Sequence, residues 1–243
     1  FRENVQYDGF IGADVSSPKL VAEMARREVA DGARGIKMKV GSPSPEEDIA
    51  RIKAIRETVG DDIRIKVDAN QAWNASKAVK IIRRMERYDL AVVEQPVPAW
   101  DIDGMAAVTK SIDTPILADE SVFSPNDALQ IVEKRAADMI NIKLVKSGGI
   151  LKGKKIAAIA EAADMPCVLG STIETSLMGA VERHFTVSTR IVEYSEGGGP
   201  VLGWVETDPT QPVLTVKGKI GEVPKGHGFG VEPAGEKVAK YMQ

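Results

Sequence analysis

The chain has 243 residues, 43% hydrophobic and 28% charged, with a net charge of −3. That is enough apolar material for one large core, and the mixed charge gives no sign of a nucleic-acid partner. No apolar run approaches a membrane span and no signal-peptide pattern opens the chain, so neither a membrane nor an export route is expected.

In chain order, residues 1–9 are polar and expected to be irregular. Phe10 to Val15 reads as a first strand. Ser17-Pro18 then starts a helix, with Ser as cap and Pro in the first helical position. Leu20, Val21, Met24 and Val29 share a helical face, and Gly32 ends it. Gly35 to Gly41 is a second strand, in which Lys37 and Lys39 point the same way and Met38 the other. Pro45 opens a helix with Ile49, Ile52 and Ile55 inward and Gly60 as the stop.

The alternation then repeats. Strands are expected at Ile63 to Ala69, Leu90 to Glu94, Pro115 to Asp119, Met139 to Leu144, Cys167 to Gly170 and Ile191 to Tyr194. Helices are expected at Ala75 to Tyr88, Ile102 to Ile112, Ser124 to Arg135, Gly149 to Ala163 and Ser176 to Thr189. Strict β/α alternation implies parallel strands with helical crossovers, and eight such strands suit a closed barrel. No glycine-rich phosphate loop follows any strand, which weakens a nucleotide-binding alternative. The tail, 197–243, departs from the pattern and reads as partly irregular. Gly197 to Pro200 is a turn, Leu214 to Val216 and Ile220 to Val223 a small hairpin, and Pro233 to Met242 a last helix. The whole of 1–243 is read as one barrel domain.

The chemistry is expected at the C-terminal ends of the strands, where barrels of this kind carry their active sites. There the chain places Lys37 and Lys39, then Asp68, Glu94 and Asp119, then Lys143, each after an apolar run. Neighbouring strands lie about 4.8 Å apart, so three adjacent carboxylates repel unless a cation sits among them. With one Cys (Cys167) and two His (His184, His227), thiolate and imidazole clusters are excluded. A carboxylate site favours a hard cation, Mg²⁺, with Mn²⁺ as the substitute. The single cysteine also excludes an intrachain disulfide and fits a reducing cytoplasm. Arg64 and Lys66 share the face of Asp68 and are read as polar filling beneath the site.

Lys37-Met38-Lys39, Asp68-Ala69-Asn70, Glu94-Gln95-Pro96, Ala118-Asp119-Glu120-Ser121 and Asn141-Ile142-Lys143 together resemble the enolase superfamily, in its muconate-lactonizing branch. Successive intervals from Lys39 to Lys143 are 29, 26, 25 and 24 residues, one barrel unit each. Gly228 to Glu232 resembles the family's closing segment. The resemblance implies a TIM-like (β/α)₇β barrel. It implies Asp68, Glu94 and Asp119 as Mg²⁺ ligands, Lys39 and Lys143 as the acid/base pair, and Lys37 as the partner of the substrate carboxylate. Asn70 and Asn141, in the matching segments, are taken as substrate-binding or supporting residues. Glu174 resembles a supporting Glu at the seventh strand end, and Glu196 an acid that muconate cycloisomerases carry after the eighth strand. Dipeptide epimerases have an Asp-x-Asp pair near Glu196, which this chain lacks. Strand seven carries no His, so the mandelate-racemase branch fits poorly.

The reaction this implies is Mg²⁺-dependent removal of a proton next to a carboxylate, through an enediolate, as in a muconate cycloisomerase. A racemase, epimerase or dehydratase of amino-acid derivatives is the alternative, since the enediolate is common to all. A non-catalytic, metal-binding barrel fragment is the alternative of another class. The implied partners are a small carboxylate substrate and further copies of the chain in a homo-oligomer. The family's N-terminal capping domain is expected to be absent from this chain, or supplied by another one.

Overall fold

The structure, a computed structural model, describes residues 2–12, 17–196 and 207–239. Its strands are β1 (Asn4–Gln6), β2 (Gly9–Ile11), β3 (Gly35–Lys39), β4 (Arg64–Asp68), β5 (Leu90–Glu94), β6 (Ile116–Ala118), β7 (Met139–Ile142), β8 (Cys167–Leu169), β9 (Val192–Ser195), β10 (Thr210–Gln211), β11 (Ile220–Glu222) and β12 (Glu232–Pro233). Its helices are α1 (Pro18–Ala30), α2 (Pro45–Val59), α3 (Ala75–Met85), α4 (Ile102–Ser111), α5 (Pro125–Lys134), α6 (Leu144–Ser147), α7 (Ile150–Ala162), α8 (Ser176–Val187) and α9 (Gly235–Ala239).

Strands β2 to β9 form one parallel sheet in chain order. A parallel bridge between Tyr7 and Ser195 joins its two edges, so the sheet curls into the expected eight-stranded barrel. The helix starts follow the local chemistry read from sequence. Pro18, Pro45 and Pro125 occupy first helical turns, and Ser124 and Asp127 form a reciprocal capping box at α5.

The main core lies between barrel and helices. It includes Ile36, Met38, Ile65, Val67, Ile140 and Ile142 from the outward strand faces, packed on Ile52, Ile82, Ile131 and Ile156 from the helices. A second, smaller cluster of Val92, Leu117, Met139, Val168 and Tyr194 fills the barrel interior on the β5–β9 side. On the β3–β4 side the interior holds buried lysines instead. The barrel is therefore apolar across one half and ionic across the other.

The chain ends differ from expectation. Residues 1–9 are not irregular throughout, because β1 pairs antiparallel with β11, Asn4 opposite Glu222. The expected hairpin between Leu214–Val216 and Ile220–Val223 reduces to one Lys217–Ile220 bridge. The reason is competition, since β11 finds its partner at the other end of the chain. Arg183 of α8 clasps this junction. It donates to the Tyr7 hydroxyl at 3.1 Å, the Glu222 carbonyl at 2.9 Å and the Thr215 carbonyl at 3.0 Å. The last helix, expected from Pro233, is described as α9. Ala13, Asp14 and Val15 of the first expected strand, the Gly197–Pro200 turn and the end of the last expected helix lie outside the described residues. No helix among the described residues is long and apolar enough to cross a membrane.

Gly221 sits where a Cβ would lie 2.6 Å from Tyr7 Cε2 and 2.9 Å from the Arg183 guanidinium. Gly221→Ala is therefore expected to prise β11 from β1 and to cost about 1–3 kcal/mol, the usual penalty of overpacking. Urea unfolding of the variant against the parent measures it, and an unchanged midpoint would mean the clasp adds nothing.

Candidate active site

Strand register brings the charged residues together. Lys39 stands opposite Asp68 across β3–β4, and Asp68 opposite Glu94 across β4–β5. Asp119 follows β6 directly and Lys143 follows β7. Asp68, Glu94 and Asp119 are 0%, 2% and 1% exposed, so they are interior groups and not surface acids. In an eight-stranded ring, β3 and β7 are four strands apart and so face each other across the barrel. Lys39 and Lys143 therefore approach the mouth from opposite sides. Both line a cavity of about 350 Å³, together with Lys37, Glu196, Phe10 and the Ser171–Ile173 segment.

The charges are paired in detail. Lys37 Nζ lies 2.5 Å from Glu94, 2.8 Å from Glu196 and 3.1 Å from Asp68. Lys39 Nζ is 2.6 Å from Asp68 and also donates to the Asn70 side-chain oxygen. Lys143 Nζ is 2.5 Å from Asp119. Asn141 Nδ2 donates to Glu94 at 2.9 Å, and Asn70 Nδ2 to Glu120 at 2.9 Å. The buried Gln95 carboxamide accepts from the backbone N–H of Asp119 at 2.9 Å and donates to Ser121 at 2.8 Å, fixing the turn that carries Asp119. Glu174 accepts from the Thr172 N–H at 2.8 Å and the Thr172 hydroxyl at 3.1 Å, and so holds the cavity wall.

Two interior lysines had no assigned place in the site on sequence grounds. Lys146, in the one-turn helix α6, donates to Asp119 Oδ1 at 2.6 Å and to the Asp119 carbonyl at 2.5 Å. Its signal was the i, i+3 spacing from Lys143, legible only if a helical turn is expected there. Lys66 is polar filling as expected, but it also reaches the site, pairing with Glu196 at 2.5 Å and Asp8 at 2.8 Å. Arg64 is a correction. Its side chain is 43% exposed at the start of β4, 3.3 Å from Asp8 and over the Tyr194 ring. It guards the barrel's far end and is not interior filling.

Burial alone would lower the Lys37 pKa, but Glu196, Glu94 and Asp68 outweigh it and push the group well above the usual lysine range. Lys143 is likewise raised, burial being outweighed by Asp119 and Glu94. Lys146 goes the other way, lowered because burial outweighs its contact with Asp119. Asp119 resists its burial because Lys146 and Lys143 hold it well below the usual carboxylate range. Glu94 is pushed well above that range by burial, which Lys37 opposes, and by the crowding of Asp68, Glu196 and Asp119. Beneath the cavity wall, Glu182 is raised by burial and by the adjacent Glu174 carboxylate.

Among the described residues, no three His, Cys, Asp or Glu side chains converge on one point as metal ligands. The donor chemistry nevertheless fits a hard divalent cation. Three buried carboxylates close successive strands, and Glu94 lies where negative charge is crowded.

With this geometry in hand, residues 19–238 match the family described as Enolase C-terminal domain-like. The chain belongs to that family. Within the superfamily its relatives lie in the muconate-lactonizing branch. It is 39% identical over 233 residues to the L-Ala-D/L-Glu epimerase of Bacillus subtilis (strain 168), covering 95% of this chain and 63% of that enzyme. It is 29% identical over 233 residues to muconate cycloisomerase 1 of Rhodococcus opacus, covering 96% of this chain and 62% of that enzyme. It superposes with a TM-score of 0.86 and 35% identity on a dipeptide epimerase from Enterococcus faecalis V583 complexed with Mg and the dipeptide L-Leu-L-Tyr, covering 95% of this chain and 64% of that one. The chain thus spans somewhat under two thirds of the length of these relatives.

Gly170, at the end of β8, is what lets Asn141 reach Glu94. A Cβ there would lie 2.4 Å from Asn141 Oδ1 and 2.8 Å from Nδ2. Gly170→Ala is expected to displace the amide and leave Oε1 of the buried Glu94 without the Asn141 donor, at a cost of about 1–3 kcal/mol. Thermal melting with far-ultraviolet dichroism measures it, with the helical signal retained and the midpoint lowered.

Proposed function

We propose that this family member takes a proton from the carbon next to a carboxylate and returns one to the opposite face. That makes it a racemase or epimerase of an amino-acid derivative, a dipeptide being the first candidate. The observation that carries this reading is the pair of lysines, Lys39 and Lys143, entering one cavity from opposed strands. A cycloisomerase needs only one of them to move a proton, whereas two-faced exchange uses both. The greater identity to a dipeptide epimerase than to a muconate cycloisomerase supports the same choice. That reverses the order expected from sequence motifs alone.

Each residue has a role. Asp68, Glu94 and Asp119 would hold Mg²⁺, which when bound supplies Lewis-acid stabilisation of negative charge on the substrate carboxylate. Lys37 offers its ammonium to the same carboxylate. Lys39 gives up one proton to solvent as it leaves Asp68 and Asn70, and the neutral amine then accepts the α-proton at Nζ and becomes an ammonium again. Lys143 delivers a proton from its own Nζ to the other face of the same carbon. The raised pKa of Lys143 suits the donor side of that exchange. The reverse direction exchanges the two roles. Phe10 in β2, and Trp100, Phe123 and Ile173 on the segments following β5, β6 and β8, are exposed apolar groups toward the mouth end. They favour a covering domain or partner there, which would keep water from the reacting carbon.

Calorimetry tests the metal assignment. Asp119→Asn is expected to weaken Mg²⁺ binding at least about tenfold while the fold persists. Unchanged affinity would remove Asp119 from the ligand set.

The exchange itself is read by proton NMR in D₂O on a panel of L-Ala-L-Glu, L-Leu-L-Tyr, an N-acyl amino acid and muconate. Lys39→Ala and Lys143→Ala should each slow α-proton exchange about 10²–10⁴-fold, each abolishing it for a different enantiomer. If one variant still exchanges both enantiomers at the parent rate, the opposed-base reading is wrong. Turnover of muconate alone would instead favour the cycloisomerase.

A further inference from the structure

A line of alternating charge runs up the ionic half of the barrel and ends at the site. Asp8, between β1 and β2, holds Lys66 Nζ at 2.8 Å. Lys66 also holds Glu196 Oε1 at 2.5 Å, and Glu196 Oε2 lies 2.8 Å from Lys37. Lys66 is 2% exposed, and its ammonium lies 4.1 Å from the centroid of the Tyr194 ring. Each oxygen of Glu196 is thus committed to a different lysine. Opposed to burial, those two ammonium groups hold the Glu196 pKa down to about 2.

Lys37 has three hydrogens to donate and three carboxylates around it, Glu94, Glu196 and Asp68. To take up a substrate carboxylate it must loosen one of these contacts. Glu94 and Asp68 are fixed in paired strands and would be engaged by the cation, whereas Glu196, one residue past β9 with its N–H on the Leu169 carbonyl, has its side chain held by Lys37 and Lys66. Glu196 is therefore the contact that can yield. How strongly it pulls on Lys37 depends on how much of its charge Lys66 neutralises. How much Lys66 has to give depends in turn on Asp8.

We propose that Lys66, tensioned by Asp8, is a positioning residue that sets how firmly Glu196 holds Lys37, and so how readily Lys37 engages the substrate carboxylate. The inference rests on the reading of Lys37 given under the proposed function. Lys66 itself touches no substrate. It acts through Glu196, and its effect belongs in KM more than in kcat, because the Lys37 contact is made in the ground state as well as the transition state.

The alternation fixes opposite signs for two substitutions. Lys66→Met leaves Glu196 with Lys37 alone, tightens that pair and raises KM by about tenfold, with kcat nearly unchanged. Asp8→Asn frees Lys66 to lean wholly on Glu196, loosens Lys37 and lowers KM. Adding Glu196→Gln to Lys66→Met removes the pull and returns KM toward the parent value. KM is measured with whichever dipeptide of the exchange panel is turned over. A merely structural role would raise KM or lower the melting temperature in both single variants and could not be rescued by Glu196→Gln.

Crystal structures of the two single variants give a readout that needs no turnover. Lys66→Met should show both Glu196 oxygens turned to Lys37, and Asp8→Asn a longer Lys37–Glu196 contact. If Lys66→Met does not fold, Asp8→Asn carries the test alone. A parent that turns over nothing in the panel, with Glu196 moving as described, overturns the reaction and keeps the positioning. A Glu196 that stays in place, or a KM that moves the same way in both variants, overturns the positioning whatever the substrate.

Discussion

Everything along the ionic half of this barrel, from Asp8 up to the mouth, depends on neutralising buried charge. Asp8, Asp68, Glu94, Asp119 and Glu196 lie among Lys37, Lys39, Lys66, Lys143 and Lys146, five acids against five ammonium groups. A lone ion in such surroundings would cost several kcal/mol, and removing one partner of a buried pair costs more than the pair is worth. Alternation of sign along and between the strands is the arrangement that lets so many charges share one protein interior. It also leaves the Lys37, Lys39 and Lys143 ammonium groups lining the cavity.

The apolar half of the barrel makes this tolerable. Val92, Leu117, Met139, Val168 and Tyr194 fill the interior from β5 to β9. The ionic network is thereby confined to the other side and to the strand ends. Gln95, Asn141 and Gly170 then fix where the carboxylates point. Two of these supply hydrogen bonds, and the third supplies the space in which one of them is made.

Strand ends were legible in the sequence because an apolar run followed by one charge is a conflict that is relieved when opposite charges meet there. That is why Asp68, Glu94, Asp119 and the lysines of β3 and β7 could be named in advance. Lys146 was hidden because α6 is a single turn, too short to show a period. The partner of β11 was hidden because it lies more than 200 residues away, where no local pattern reaches. Asp8 and Lys66 were visible as charges, but their joining through Glu196 requires the closed ring. The choice between epimerase and cycloisomerase was illegible for a chemical reason. Both reactions pass through the same anion, and the residues that stabilise it do not record what happens next.

The bridge from Tyr7 to Ser195 and the β1–β11 pair tie the first residues of the described chain to the last barrel strand and to the tail behind it. Closure is therefore a late event in folding. Seven crossovers can dock on a growing open sheet as the chain leaves the ribosome, but its two edges cannot meet until β9 has been made. Until then the strands at each edge keep unpaired N–H and C=O groups, which are templates for pairing with other chains. Contacts of such long range also slow folding. The contacts of Glu196 with Lys37 and Lys66 cross that seam, so they form only once the ring has closed.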